Sequence, residues 1–281
     1  MLSRQHKQFY HRAGFGIGVG ELTSRTELPI VQIVEEALKD ATQPLPSVEG
    51  MNGGSPTLES SFLTRSVEPR FQNMESTSSQ LDSLRFEWFE IMCHSGLGLR
   101  EKMALFWHGH FACQCWQEST ARQYLEVLRN HALGNFKTLL RAIVKTPAMI
   151  IFLNNQQNRK DHPNENFARE LMELFTMGHG TYSEFDVKEA ARAFTGWSTD
   201  EGGDFVFRPE SHDPESKVFL GKKGRLDGED IVEIILKQPA TKLHLARSLY
   251  RFFVNEQIDP DAIDQIASYI AETDFDMARV M

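Results

Sequence analysis

Apolar residues recur at the three- and four-residue spacing of an amphipathic helix along most of this chain. In residues 29–40, for example, Ile30, Ile33 and Ala37 fall on one side of a helix. Glycine and proline residues such as Gly134 separate these segments, as expected at helix ends. The pattern predicts helices over residues 29–40, 81–95, 99–108, 118–133, 136–145, 164–177, 184–195, 228–237, 240–254 and 260–272, with a short apolar turn at 149–153.

Two segments depart from the helical pattern. Residues 41–80 are rich in proline, glycine and serine, and such a sequence buries too little apolar surface to form a core, so it predicts an irregular insertion. Residues 197–221 contain Phe205 and Phe207 alternating around Val206, which predicts a small β-hairpin. We therefore expect a single mainly α domain over residues 1–281, a multi-helix orthogonal bundle with a small inserted hairpin.

The charge balance limits the class of partner. The chain has 281 residues, with 30 Lys and Arg against 39 Asp and Glu, which gives a formal net charge of −9. Binding to nucleic acid or to an anionic membrane needs a clustered basic surface, so we expect neither. No apolar run reaches the roughly 20 residues of a membrane span. The first residues lack the apolar stretch of a secretion signal, which makes the cytoplasm the default expectation.

Three cysteines are too few, and odd in number, for a disulfide framework. Cys113 and Cys115 lie two residues apart, but no second cysteine pair completes a structural zinc site. We therefore expect these two thiols to be buried and inert.

The helix that begins at Asn164 carries a polar face. Asn166, Glu170 and Glu173 follow the i, i+4, i+7 stripe, so three oxygen-bearing side chains share one ridge. One interpretation is a solvated face braced by ion pairs of Arg169 with Glu165 and with Glu173. The other is that Glu170 and Glu173 face a polar cleft as metal ligands or acid–base groups.

A second group of residues is the pair His108 and His110. Histidines two apart lie on opposite sides of a helix, so both reach one metal ion only if the helix ends near Gly109. Neutral imidazoles suit zinc, iron, copper or nickel. The alternative is that the histidines pack beside Trp107 and Phe111 with their ring nitrogens hydrogen-bonded.

Two loops also carry candidate chemistry. Five amide side chains occur between Asn154 and Asn158, ahead of a helix for which Asn164 is the predicted cap, and they indicate either turn chemistry or binding groups. Further along, His212 precedes Asp213 in the hairpin region. Adjacent residues rarely hydrogen-bond well to each other, so a base at His212 would take its orienting partner from elsewhere.

Several blocks of the sequence resemble the bacterial family called domain of unknown function 1800. The longest runs from Pro163 to Gly178. The others are Arg12–Gly16, Leu105–Phe111, Tyr182–Val187, Ala191–Trp197, His212–Pro214 and Phe219–Gly221.

The resemblance implies a mainly helical fold, a bacterial origin, export in many relatives and a sulfatase-like partner protein. It also implies further helices after Met281, so we expect the chain to be a fragment. Residues 41–80 match no block of the family. The family has no assigned biochemistry, so a function has to come from the site itself.

The leading hypothesis is a metal-dependent enzyme of unassigned reaction, in which a helical scaffold brings these side chains to one cleft. The ligands of a divalent metal ion would be His108, His110 and Glu170. The catalytic groups would be Glu173, His212 and Asp213, with His212 as proton carrier. The substrate-binding residues would be Asn164, Asn166 and Arg169.

Two alternatives stay open from the sequence. One is a non-catalytic binding or assembly protein that uses the polar helix face and the amide-rich loop to contact a partner or a carbohydrate. The other is a purely structural hydrogen-bond network that fixes helix packing. If the histidines and the acidic residues lie close together in space, catalysis is favoured; if they lie far apart, binding is favoured.

Overall fold

Helices make up most of the structure, a computed structural model that describes residues 4–16, 28–43, 72–94 and 98–281. Thirteen helices and four short strands within these residues confirm the mainly α fold class. Residues 44–71 of the predicted irregular insertion lie outside the described part. No helix that the structure describes is long and apolar enough to cross a membrane.

The strands of the described chain lie together between two runs of helices. The helices are α1 (Arg4–Arg12), α2 (Ile30–Ala41), α3 (Gln72–His94), α4 (Leu99–His110), α5 (Glu118–Asn130), α6 (Phe136–Ile143), α7 (Pro147–Phe152), α8 (Asn166–Glu173), α9 (Glu184–Ala193), α10 (Gly228–Leu236), α11 (Pro239–Phe253), α12 (Pro260–Glu272) and α13 (Met277–Val280). The strands β1 (Trp197–Thr199), β2 (Phe205–Phe207), β3 (Lys217–Phe219) and β4 (Lys222–Gly224) all lie between α9 and α10.

The helix starts follow local capping signals in the sequence. Asn135 accepts a hydrogen bond from Lys137 N–H at 2.9 Å, as its place before α6 predicts. Ser183 and Asp186 form the predicted capping box of α9. A second capping box, between Asp227 and Asp230, begins α10. These caps satisfy N–H groups that a helix leaves without partners.

The largest differences from the predicted helix boundaries are in α3, α7 and α8. α3 begins at Gln72 rather than at residue 81, so the helix extends into serine-rich sequence that has no apolar stripe. The apolar turn predicted at 149–153 belongs to α7, because Thr146 caps that helix and Pro147 occupies its first position. α8 is shorter than predicted, since Met177 N–H bonds to Met172 O instead of continuing the α-helical pattern.

Two hairpins stand where one was predicted. β1 pairs antiparallel with β2, with Trp197 opposite Phe207, which confirms the first hairpin. Val218 and Phe219 belong to a second antiparallel hairpin, β3–β4, with Phe219 opposite Lys222. Its turn contains Leu220 and Gly221, both with positive φ.

Aromatic side chains fill the centre of the helical core. Trp107 is fully buried, and its ring N–H donates to Ala132 O at 2.8 Å, so the one polar atom of the indole is satisfied. The ring of Phe136 stacks on Trp107 on one side and on Phe275 on the other, at 5.5 and 5.9 Å between centroids. The backbone N–H of Phe136 also donates to Phe275 O at 3.0 Å. These contacts tie the last described helices to the core.

A buried ion pair connects three of the N-terminal helices. Glu101 of α4 is 3% exposed and accepts three hydrogen bonds from Nε and Nη2 of Arg129 of α5, the shortest at 2.8 Å. The same carboxylate accepts a hydrogen bond from the Trp88 ring N–H of α3 at 2.8 Å. A buried carboxylate is tolerated only when it is paired and hydrogen-bonded. This pair therefore fixes how α3, α4 and α5 sit on one another.

Replacing Glu101 with Gln should lower the free energy of unfolding by about 3 kcal/mol, because the Arg129 charge would stay buried without its partner. Urea unfolding followed by circular dichroism measures this change. The matched control is Asp82→Asn, which removes an exposed ion pair with Arg85 and should cost less than about 1 kcal/mol. Equal losses for the two variants would contradict a structural role for Glu101.

Candidate functional site

The predicted metal ligands His108 and His110 point into different surroundings. α4 continues through Gly109 to His110, so the early helix end that would bring both rings together does not occur. His108 packs against Trp88 and Tyr124. His110 packs against Phe106, and its ring nitrogen Nε2 donates to Phe175 O at 2.9 Å.

Glu170, the carboxylate predicted to bind the same metal ion as the two histidines, lies on α8 in surroundings that differ from those of both rings. Burial raises the pKa of Glu170, and the nearby Glu173 raises it further. In the described part of the chain, no three His, Cys, Asp or Glu side chains are grouped so that they could hold a metal ion. The predicted set of His108, His110 and Glu170 therefore gains no support from the structure.

Ion pairs brace the polar ridge of α8, as in the interpretation of the sequence as a solvated helix face, although one of the predicted partners differs. Arg169 pairs with Glu165 at 3.0 Å and with Glu184 of α9 at 2.7 Å. Glu173 accepts a hydrogen bond from the Tyr182 hydroxyl at 3.0 Å rather than pairing with Arg169. Arg169, which was predicted to bind substrate, therefore forms ion pairs with two carboxylates of the protein.

Both asparagines that the sequence predicted as substrate-binding residues form hydrogen bonds at the start of α8. The side-chain oxygen of Asn164 accepts the Asn166 N–H at 3.0 Å. The exposed Asn166 donates through its side chain to Leu153 O at 3.3 Å. These bonds connect the amide-rich loop to α8.

The predicted base His212 and its neighbour Asp213 have separate partners, as expected for adjacent residues. His212 Nδ1 donates a hydrogen bond to Thr195 O at 2.9 Å. Asp213 accepts a hydrogen bond from Arg192 at 2.7 Å. Burial raises the pKa of Asp213, but the bonds from Arg192 and from Glu215 N–H outweigh it and lower the pKa overall.

Two buried asparagines hold the amide-rich loop against the end of α9. Asn155 is fully buried and donates to Phe194 O at 3.2 Å and to Trp197 O at 3.0 Å. Asn158 donates to Asn155 Oδ1 at 3.1 Å and to Ala191 O at 2.8 Å. Buried polar groups are costly to leave without hydrogen bonds, so these bonds hold the loop in place. We refer to Asn155 and Asn158 as the asparagine clamp.

Backbone hydrogen bonds extend the asparagine clamp to the loop after β2. Gly196 N–H donates to Asn158 O at 3.1 Å, and Arg208 N–H donates to Gly196 O at 2.8 Å. Gly196 has φ +84°, and a Cβ atom there would lie 2.6 Å from Arg208 O. Only glycine fits this close approach. Lys160 N–H also donates to Ser211 O at 2.9 Å.

A polar pocket of ≈ 420 Å³ lies between the amide-rich loop and the first hairpin. Its volume is in the usual range of small-molecule sites. The polar side chains that line it are Gln156, Asn158, Arg159, Ser198, Thr199, Arg208, Glu210 and Ser211.

One residue that lines this pocket has a buried acceptor without a partner among the described residues. Gln156 Oε1 is removed from solvent and accepts no hydrogen bond from the described residues. A buried polar atom without a partner costs about 1–3 kcal/mol, so such atoms occur where a ligand or water supplies the missing bond. The amide-rich sequence indicated binding groups here, but it could not single out Gln156.

The pocket also carries uncompensated positive charge. Arg208 donates to the backbone oxygen of Thr199 at 3.1 Å. Neither Arg208 nor Arg159 forms an ion pair with any residue that the structure describes. With Glu210 as the one acidic side chain of the lining, the formal charge of the pocket is about +1.

Comparison with known proteins gives a family and no described function. A family model described as Protein of unknown function (DUF1800) matches residues 8–281. This match confirms the resemblance seen in the sequence motifs. No curated protein and no solved structure matches the chain.

The setting of His110 predicts a pH-dependent loss of stability. Burial lowers the pKa of His110 to about 4, although the bond to Phe175 opposes this shift. The unfolded chain takes up this proton near pH 6.5, so the contribution is present above about pH 6.5 and is lost as the pH falls towards 4. The loss from this residue is at most about 3 kcal/mol.

His110→Gln should therefore flatten the fall in unfolding free energy between about pH 7 and pH 4.5, measured by urea titration at each pH. His11→Gln, at an exposed position of α1, is the control and should keep the wild-type slope. An unchanged slope in His110→Gln would show that the pKa of His110 is the same in the folded and unfolded chain, which contradicts its lowering by burial.

Proposed function

The chain belongs to the DUF1800 family, and we propose that it is a binding protein whose polar pocket takes a small hydroxylated anion. A sugar acid and a sugar phosphate both have this chemistry. The proposal develops the binding alternative drawn from the amide-rich loop, and it assigns the pocket a ligand and no reaction.

The two arginines support an anionic ligand. Arg159 and Arg208 bring guanidinium groups to one pocket, and guanidinium matches carboxylate and phosphate with two parallel hydrogen bonds. Each lacks an acidic partner among the described residues. An anion entering the pocket would therefore displace no existing ion pair.

The unpartnered oxygen of Gln156 supports a ligand that also donates hydrogen bonds. A carboxylate or phosphate alone offers only acceptors at neutral pH, so it would leave Gln156 Oε1 unsatisfied. A ligand hydroxyl can donate to this oxygen and accept from Ser198 or Ser211 in the same lining. The combination of an unpartnered acceptor and two unpaired arginines is the observation that carries the proposal.

The asparagine clamp supports binding to a preformed site. Because Asn155 and Asn158 fix the loop through buried hydrogen bonds, the lining side chains start from one backbone position. A ligand then loses less free energy to ordering the protein than it would on a mobile loop.

Isothermal titration calorimetry with D-glucuronate, glucose 6-phosphate and glucose tests the proposal. We expect at least one of the two anionic sugars to bind, and glucose to bind at least about tenfold more weakly, because it lacks the group that the guanidiniums recognise. Comparing the two anions separates a carboxylate site from a phosphate site.

Variants link any binding to the pocket. Arg159→Gln and Arg208→Gln should each weaken binding of the anionic sugar about tenfold. Arg225→Gln, at an exposed arginine outside the pocket lining, should bind like the wild type. Absence of binding to the wild type, or equal affinity in all three variants, would reject the proposal.

A further inference from the structure

Cys113 and Cys115 share a second pocket, separate in its lining from the polar one. This pocket has a volume of ≈ 360 Å³ and mostly apolar walls. Besides the two cysteines, the lining includes Leu84, Trp88, His108 and Tyr124. The expectation that both cysteines are buried is wrong, because each is partly exposed.

One residue separates the two thiols, in a segment between α4 and α5 that forms neither helix nor strand. The Cys113 thiol donates a weak hydrogen bond to Gln114 O at 3.8 Å. Both cysteines line the same pocket. Two thiols this close in the chain that face one pocket are placed to close into a disulfide.

The two sulfurs differ in acidity. The interaction with Cys113 lowers the pKa of Cys115, although partial burial opposes this effect. The interaction with Cys115 raises the pKa of Cys113, and burial raises it further. This direction favours Cys115 for the first attack on a disulfide and Cys113 for the second.

We propose that Cys113 and Cys115 form a reversible dithiol–disulfide pair that reacts with small disulfides entering the apolar pocket. The Cys115 thiolate attacks one sulfur of R–S–S–R, the S–S bond breaks, and one thiolate leaves and takes up a proton. Cys113 then loses its proton and attacks the Cys115 sulfur of the mixed disulfide, which releases the second thiol. The two cysteines give up two electrons and two protons, and the external disulfide becomes two R–SH.

A disulfide across a single intervening residue favours reversibility. The ring that it closes is very short, and strained or exposed disulfides have the higher reduction potentials typical of labile or regulatory bonds. The apolar walls would contact the groups attached to the attacked disulfide. This lining favours a disulfide whose flanking groups are partly apolar.

Incubation of the full chain with oxidised glutathione tests the proposal. After alkylation of free thiols and proteolysis, we expect mass spectrometry to show a peptide about 2 Da lighter, with Cys113 and Cys115 joined and neither alkylated. Reduction should restore both alkylated cysteines. Exposed Cys93 is the internal control, because it should stop at the mixed disulfide with glutathione.

Two serine variants assign the roles. Cys113→Ser should trap glutathione on Cys115, while Cys115→Ser should react with glutathione at least about tenfold more slowly at Cys113. The proposal is overturned if the wild type forms no Cys113–Cys115 disulfide, which needs no variant to fold. It is also overturned if Cys113 in Cys115→Ser reacts as fast as Cys115 in Cys113→Ser.

Discussion

Hydrogen bonds from two buried asparagines determine the geometry of the region between α7 and α10. Asn155 and Asn158 lie in a loop whose own backbone forms only a short helical turn, and their amide groups bond to carbonyls at the end of α9 and in β1. Such bonds are costly to leave unmade in a protein interior, so the loop has one favoured position. The polar pocket forms in the space that this position leaves beside the first hairpin.

The structure separates side chains that the sequence suggested would act together. His110 contributes a hydrogen bond at the end of α8, Arg169 holds two carboxylates, and His212 bonds to a backbone oxygen. Each of these polar groups has a local structural partner. In the described part of the chain, the Gln156 side-chain oxygen and the Arg159 guanidinium form no hydrogen bond, and both residues line the polar pocket. Unsatisfied bonding capacity, rather than density of polar residues, therefore indicates where a ligand would bind.

The sequence predicted the features that depend on neighbouring residues. The caps at Asn135 and Ser183 and the first hairpin are signalled within a few positions, and the structure confirms them. The sequence could not predict the partners of Asn158, because one of them, Ala191, lies 33 residues further along the chain. The metal hypothesis required α4 to end at Gly109, but a glycine inside a helix costs only about 1 kcal/mol, and packing of the helix outweighs this.

Amide hydrogen exchange at two backbone groups held by Asn158 tests most directly whether the asparagine clamp fixes the pocket. Gly196 N–H bonds to its backbone oxygen, and Asn164 N–H bonds to its side-chain oxygen at 2.9 Å. In the wild type, both N–H groups should exchange only through large-scale unfolding. In Asn158→Ala, the Asn164 N–H should exchange by local opening, at least about tenfold faster than in the wild type after correction for global stability. Fast exchange of both groups in the wild type, or no difference in the variant, would contradict the clamp.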